Sequence, residues 1–338
     1  MFNQLAQRYF GELDATMRQI VASVPETPGL GVMLRYPFGW VDQNNQPYHQ
    51  ITGKRIRPLL LLLCTEAAGG DWRTALSAAS AVEILHNFSL IHDDIQDNSP
   101  IRHGRPTVWE IWGHANAINA GDALFGLAYC ALEELSNVGV TPEVTLEAWR
   151  IFNQTVQELT RGQHLDMRFE TLEVVSVDDY LSMIRGKSAA LVAASAQIGA
   201  LIGTGSSQTA QLYADFGLNL GLAFQIRDDI LGIWGNPDVT GKSVATDIIS
   251  RKKSLPVLYG LAQSDTLLTL YRRDEFNEED VDEAVSLLNA LSAHTYAENI
   301  EARYYERAIQ ALQHADSPGQ AAAGQLMQFV ETLFQRSY

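Results

Sequence analysis

Positive charge is in short supply in this chain. Its 338 residues carry 24 Lys and Arg against 40 Asp and Glu, a formal net charge of −16. Nucleic-acid binding relies on clustered cations that neutralise phosphates, so this balance argues against nucleic acid as a partner. It leaves room for phosphorylated small molecules, because divalent cations can bridge an acidic protein to an anionic ligand. Cysteine is scarce too: Cys64 and Cys130 stand far apart in apolar surroundings, with no CxxC spacing. That excludes a disulfide scaffold and predicts two buried free thiols in a reduced, cytoplasmic compartment. With 11 prolines, 46% apolar and 19% charged residues, the composition is that of an ordinary globular protein and not of a disordered one. Long apolar runs are missing. The best candidate, SAALVAASAQIGALIG at 188–203, falls short of the roughly 18 residues a membrane span needs. The N-terminal MFNQLAQRYFGELDATMRQIV lacks the basic region and apolar core of a secretory signal. A soluble protein with no transmembrane segment is expected.

Strand signals are equally sparse, with no series of alternating Val/Ile/Thr runs joined by Asn-Gly or Asp-Gly turns. Helical periodicity is common instead. RPLLLLLCTEAAG, ALSAASAVEILHNFSLIHDDI, AINAGDALFGLAYCALEEL, TLEAWRIFNQTVQELTRGQHLDM and QLYADFGLNLGLAFQIRDDILGI place apolar residues at three- and four-residue spacings. Several are apolar on most faces, as helices surrounded by other helices are. GGD (69–71), NSPIRHGRPT (98–107), NVGVTP (137–142) and GNPDVTGK (235–242) read as loops from their Gly, Pro, Asn and Asp content. Beyond residue 265, RRDEFNEEDVDEAVSLLNAL opens an acidic, solvated helix, and two further amphipathic helices follow. The expectation is an all-α bundle over residues 1–338 as a single domain, a length that buries roughly three quarters of the unfolded surface.

Within the bundle, HNFSLIHDDIQD (86–97) ends by gathering Asp93, Asp94 and Asp97. On a helix, residues i and i+4 share a face and i+1 lies within reach of i+4, so the carboxylates converge over about 6 Å of rise. Like charges so close destabilise one another unless a cation sits among them. Hard oxygen ligands in this arrangement suit Mg²⁺, which prefers a few carboxylates plus ligand phosphates and waters. A solvated helix end is the plainer alternative. A second pair, Asp228 and Asp229 in FQIRDDILGIWG, closes another apolar helix. Two acidic pairs on two helices can face each other across a cavity, as metal sites in bundle cores do. Cations stand where an anion would need them: Lys54 and Arg57 in GKRIRP, Arg102 in IRHGRPT, Lys187 in GKSAA, and Lys242, Lys252 and Lys253 in GKSVATDIISRKKSLP. Arg grips phosphate through paired hydrogen bonds, and Lys supplies a mobile point charge.

The ordered series GKRIRP, DDIQDNSPIRHGRPT, GKSAAL, FQIRDDILG and GKSVATDIISRKKSLP, over roughly residues 50–260, resembles the trans-isoprenyl diphosphate synthases, the polyprenyl synthetase family. The resemblance implies a single-domain, all-α isoprenoid-synthase bundle around a central cavity. Its implied activity joins isopentenyl diphosphate to an allylic diphosphate. It also implies a homodimer and three Mg²⁺ ions. Asp93 and Asp97 would hold two ions and Asp228 the third, with Asp94 and Asp229 in support. Arg102, Lys187, Ser188, Gln225, Lys242 and Lys252 would contact the allylic diphosphate. Lys54, Arg57, His86 and His103 would meet isopentenyl diphosphate. Cations and metal stabilise charge on the departing diphosphate, the double bond attacks the resulting carbocation, and apolar walls keep water away.

Two positions depart from the family pattern. The second acidic motif ends in Gly232 where the family often has Asp, so water or another ligand must serve there. His103 replaces the second of two paired arginines with a side chain whose charge depends on pH. Phe88, five residues before Asp93 and so about 7.5 Å along the axis, followed by the small Ser89, resembles members that stop at geranylgeranyl diphosphate (C20); farnesyl diphosphate (C15) is the next choice. A class I terpene cyclase and a non-catalytic partner subunit are the alternatives. Lys54, Arg57 and His86 favour the synthase.

Overall fold

The computed structural model describes residues 2–25, 27–48, 53–235, 246–273, 275–315 and 317–334. Within them the protein is almost entirely helical, in two compact units assembled from alternating stretches of chain. The first contains residues 1–151, 197–210 and 317–326; the second contains 152–196, 211–316 and 327–338.

In the first unit, α1 (Phe2–Val21), α2 (Leu30–Arg35), α3 (Ile56–Ala67), α4 (Leu76–Gln96), α5 (Val108–Trp112) and α6 (His114–Glu133) follow in order. α4 packs along α6 and also against α1 and α3. Leu59 to Leu63 of α3 are all fully buried, which explains why that helix is apolar all round. α6 places Leu124, Ala128 and Ala131 inside and turns position 130 out. Cys64 is buried as expected, but Cys130 is exposed; the helical spacing, not the apolar neighbourhood in sequence, decides its side.

The loop expected at 98–107 contains a small hairpin, β1 (Ile101–Arg102) and β2 (Arg105–Pro106), with Ile101 opposite Pro106 and Arg102 opposite Arg105. Its two turn residues, His103 and Gly104, have φ of 51° and 74°. Two successive positive φ values match the right-handed twist of a two-residue hairpin. Histidine is one of the few side chains enriched in that left-handed region.

The second unit uses residues 152–171 of α7 (Pro142–Thr171), α8 (Val177–Ile184), the start of α9 (Ala190–Thr204), most of α10 (Ser207–Trp234) and α11 (Thr246–Ile249). It continues with α12 (Leu255–Gln263), α13 (Asp265–Tyr271), α14 (Glu278–Ala290), α15 (Ala293–His314) and the end of α16 (Gln320–Phe334). Tyr180, Ile184, Ile226, Ile230 and Leu255 lie in one buried core. The acidic start predicted for α14 is present: Asn277 accepts from Asp280 N–H at 3.1 Å and Asp280 returns the bond at 2.9 Å, a reciprocal cap that satisfies two otherwise orphan donors.

Between α8 and α9, Arg185–Ala189 winds as a π-helix. Such a bulge inserts a residue into the helical register and is frequent at functional sites. Its position follows from a close crossing of α7: a Cβ on Gly186 would stand 2.5 Å from Glu158 O, and one on Gly162 would stand 2.1 Å from Lys187 N. Only glycine at both positions lets the two backbones meet.

Candidate active site

The first acidic set closes α4, with Asp97 as its capping residue. A helix C-terminus already carries partial negative charge, so three carboxylates there add like to like. Arg102 answers part of this, donating from Nε to Asp94 Oδ1 at 2.7 Å. Asp94 is buried. Burial lifts its carboxyl above the ordinary range, Arg102 opposes the rise and Asp97 adds to it. Asp93 is half-buried and Asp97 exposed, so these two, one turn apart, keep access to solvent.

Beside them, Lys54, Arg57, His86, Arg102 and His103 line one cavity of about 130 Å³. Five positions expected to bind anionic groups therefore meet within one unit. Arg57 Nη1 lies 3.2 Å from His86 Nε2. Burial pushes the imidazole well below its usual pKa, and Arg57, Arg102 and His103 push it the same way. The neutral ring accepts from Arg57 at Nε2, which assigns its proton to Nδ1. Arg55 and Arg105, absent from the sequence reading as site residues, line the same cavity. Arg55 is tied to Asp14 at 2.8 Å. Arg105 sits 3.9 Å and 4.4 Å from the ring centres of Tyr36 and Tyr48 and donates to the Tyr36 and Val41 carbonyls. Both are held by the protein; they add positive potential and brace the walls.

One turn and more before Asp93, the Phe88 ring packs edge-on against His92, with centres 4.7 Å apart, and 5.1 Å from Phe125 of α6. Phe125 meets Tyr129, and Tyr129 meets Trp149, each with centres 5.3 Å apart. Phe88 is thus the first ring of an aromatic wall shared by α4, α6 and α7. Ser89 turns its hydroxyl back to the His86 carbonyl at 2.8 Å.

The second acidic set is built on α10 of the other unit. Asp228 is exposed and Asp229 is 1% exposed. Asp229 Oδ2 accepts from the Tyr180 hydroxyl and from Leu255 N–H, the latter at 3.1 Å. Its Oδ1 accepts from Gln225 Nε2 at 3.1 Å and lies 3.6 Å from Lys252 Nζ. Asp229 therefore caps α12 and anchors Gln225 and Lys252, leaving Asp228 as the carboxylate facing outward. The Ser188 hydroxyl donates to Gln225 Oε1 at 2.6 Å, so the π-helix is tied to α10. Lys187 in that segment pairs with Asp166 of α7.

Asp166, Tyr180 and Asp247 escaped the sequence reading. Asp166 carried a weak signal in RGQHLDM, but its partner became visible only through the glycine crossing. Asp247 of α11 lies 3.7 Å from Lys252 Nζ. Burial alone would lower the Lys252 ammonium, yet Asp229, Asp247, Asp166 and Asp228 together hold it well above its usual range. It stays protonated through the neutral range. Lys253 serves elsewhere, donating to the Phe169 carbonyl at 2.6 Å and the Glu170 carbonyl at 3.3 Å, and also to Leu172. It neutralises the carbonyl end of α7. Lys242 falls outside the described residues.

Among the described residues, no three carboxylate, His or Cys side chains gather closely enough to hold a metal ion by themselves. Mg²⁺ does not require that, since it commonly takes one or two carboxylates and fills the rest of its octahedron with phosphate oxygens and water. The all-oxygen donors Asp93, Asp97 and Asp228, each with solvent access, fit that pattern.

A cavity lined by cations and a set of outward carboxylates thus sit on an all-α frame. The polyprenyl synthetase family model matches residues 39–288, and the chain belongs to that family of prenyltransferases. It is 42% identical over 247 residues to a (2E,6E)-farnesyl diphosphate synthase of Mycobacterium bovis, covering 73% of this chain and 67% of that protein. It is 36% identical over 296 residues to a geranylgeranyl diphosphate synthase of Saccharolobus solfataricus, covering 86% and 89%. The crystal structure of a polyprenyl synthetase from Streptomyces coelicolor A3(2) superposes with a TM-score of 0.91 at 34% identity, covering 98% of this chain and 99% of that one. The match begins earlier and ends later than the motif-bearing stretch, and the cyclase alternative finds no support. Among the described residues, no helix is long and apolar enough to cross a membrane.

Proposed function

We propose that this prenyltransferase condenses isopentenyl diphosphate with allylic diphosphates and stops at geranylgeranyl diphosphate. The observation that carries the reading is the cavity shared by Lys54, Arg57, His86, Arg102 and His103. A cyclase, which ionises one diphosphate and consumes no second, has no use for it. Lys54, Arg57 and neutral His86 bind the diphosphate of isopentenyl diphosphate, with His103 at the hairpin turn in place of a second arginine.

Asp93, Asp97 and Asp228 would hold Mg²⁺, which would supply charge neutralisation of the allylic diphosphate and ease its departure. Lys187, Gln225, Lys242 and Lys252 orient that diphosphate and hold charge where it develops, with Arg102 also serving as the partner of Asp94. Asp94 and Asp229 position these groups. Ser188 fixes Gln225. The carbocation is attacked by the isopentenyl double bond, and the proton lost goes to the released diphosphate, so no side-chain nucleophile is needed. The enzyme acts as a cytoplasmic homodimer on this reading.

Incubating the protein with Mg²⁺, isopentenyl diphosphate and, separately, dimethylallyl, geranyl or farnesyl diphosphate tests it, with product length as the readout. All-trans geranylgeranyl diphosphate is expected as the end product. Cyclic hydrocarbons formed without consumption of isopentenyl diphosphate would overturn the reading. So would an inactive chain that only stimulates a related subunit.

A further inference from the structure

Arg55 opens α3 against its own preferences. It has φ 46° and ψ 43°, the left-handed conformation, and no side-chain bond caps the helix there. Helix starts favour Ser, Thr, Asp or Asn, and a left-handed residue other than glycine persists only where its surroundings hold it. What holds Arg55 comes from α1. Its side chain is 1% exposed, and Nη2 donates to Asp14 Oδ1 at 2.8 Å. The same oxygen accepts from Trp40 Nε1 at 2.8 Å, and Oδ2 accepts from Arg18 Nε at 2.6 Å. Burial works against the charge of Asp14, but Arg18, Arg55 and Trp40 together hold its carboxyl below the ordinary range. The turn fastened in this way carries two of the pocket's cations. Lys54 precedes Arg55, Arg57 follows it by two residues, and all three line the cavity that also holds His86. Gly53 has φ 80°, so Lys54 stands between two left-handed residues.

We propose that Asp14 is a positioning residue for isopentenyl diphosphate, acting through Arg55 on the turn that carries Lys54 and Arg57. This rests on the reading that assigns those two cations to that substrate. Asp14 itself lies on another helix and outside the residues 39–288 that the family model matches. Its leverage is geometric. The backbone angles of Arg55 set the direction of Lys54 relative to the first turn of α3. Releasing the guanidinium lets residue 55 relax toward an ordinary conformation, which swings Lys54 away from Arg57. A diphosphate gripped by both then loses one of its partners. The allylic diphosphate relies on Lys187, Gln225 and Lys252 of the second unit, and among the described residues Asp14 bonds to none of them. Loss of the Asp14 carboxylate therefore acts on one substrate and spares the other.

The test compares wild type with Asp14→Asn, Arg18→Gln, Arg55→Gly and the double variant Asp14→Asn/Arg55→Gly. KM for isopentenyl diphosphate, KM for geranyl diphosphate and kcat are measured, and thermal unfolding checks that each variant folds. Asp14→Asn keeps the side-chain volume and removes the charge that grips Arg55. Its KM for isopentenyl diphosphate is expected to rise about 10-fold, as for one weakened charge-assisted hydrogen bond, while KM for geranyl diphosphate and kcat stay near wild type. Arg55→Gly takes the left-handed conformation without strain but is no longer fastened. It should raise the same KM by a similar factor, and adding Asp14→Asn to it should change nothing further. That comparison carries the test even where Asp14→Asn alone does not fold. Arg18→Gln cuts only the outer bond of Asp14 and should leave all three constants near wild type. An unchanged KM for isopentenyl diphosphate in folded Asp14→Asn or Arg55→Gly would overturn the inference. So would an equal rise for both substrates, the mark of a general loss of structure. A further rise in the double variant, or an effect of Arg18→Gln as large as that of Asp14→Asn, would remove Arg55 from the route and overturn it too. A wild type that consumes no isopentenyl diphosphate would instead overturn the reading beneath.

Discussion

Phe88 is half-buried and is met by rings on two sides, His92 and Phe125. Removing its ring opens the first layer of an aromatic wall whose next members, Phe125 and Tyr129, are still in place. Phe88→Ala should therefore lengthen the product by a defined step instead of releasing all control. Chromatography of the prenyl alcohols should show the main product moving from C20 to C25, and unchanged chain lengths would remove Phe88 from the length gauge. His86 makes a separate prediction. The folded protein keeps it neutral, because burial and then Arg57, Arg102 and His103 disfavour its charge. The unfolded chain takes up that proton below about pH 6.5. A base whose pKa is depressed by folding contributes stability that is complete above its unfolded value and is lost as pH falls toward the folded one. His86→Gln should flatten the decline in urea-unfolding free energy below pH 6.5, by at most about 1.4 kcal/mol per pH unit. An unaltered slope would show that other groups carry the acid sensitivity.

At the scale of the element, the π-helix Arg185–Ala189 is where geometry and chemistry meet. The crossing of Gly162 with Gly186 lets α7 approach closely enough for Asp166 to pair with Lys187, and the added residue per turn directs Ser188 to Gln225. Gly186→Ala should push the Glu158 carbonyl away at a cost of about 1–3 kcal/mol, as overpacking does. It should also loosen Lys187, so that kcat falls while KM for isopentenyl diphosphate, which the proposed reading assigns to the cavity of the first unit, stays near wild type. A lower unfolding midpoint without that split would make the crossing structural only. The crossing also shows what was legible in the sequence. Three- and four-residue spacing exposes helices and their buried faces, and it found α3, α4, α6, α7 and α10. It does not say which faces touch, so Asp166, Tyr180 and Asp247 stayed hidden even though Lys187, Asp229 and Lys252 were in view. In the sequence the hairpin reads as a loop, because its turn uses His-Gly in place of the usual Asn-Gly. Cys130 was expected inside because its neighbours in sequence are apolar, although its helical phase points outward. Of the motif cations, Lys54, Arg57 and Arg102 gather in one cavity, whereas Lys253 caps a helix instead.

Across the whole molecule, a net charge of −16 sets a long-range barrier against any diphosphate, and outward carboxylates at both acidic sets raise it locally. On the proposed reading, Mg²⁺ is then expected to be needed for binding as well as for chemistry. The fold itself has no such requirement: its cores are apolar, Asp94 and Asp229 find protein partners, and Asp93, Asp97 and Asp228 keep their contact with water. Chelation should leave the thermal midpoint of the free protein nearly unchanged. Pyrophosphate alone should also leave it nearly unchanged, whereas Mg²⁺ with pyrophosphate should raise it, because a ligand that binds only the folded state at 100 times its Kd adds about 2.7 kcal/mol. Asp93→Ala should keep the resting midpoint, lose most of that increment and lower turnover by about 10²–10³-fold or more. An increment from pyrophosphate without metal would place the lysines and arginines, and not the aspartates, in charge of binding. A collapse of the free protein on chelation would make the metal part of the fold.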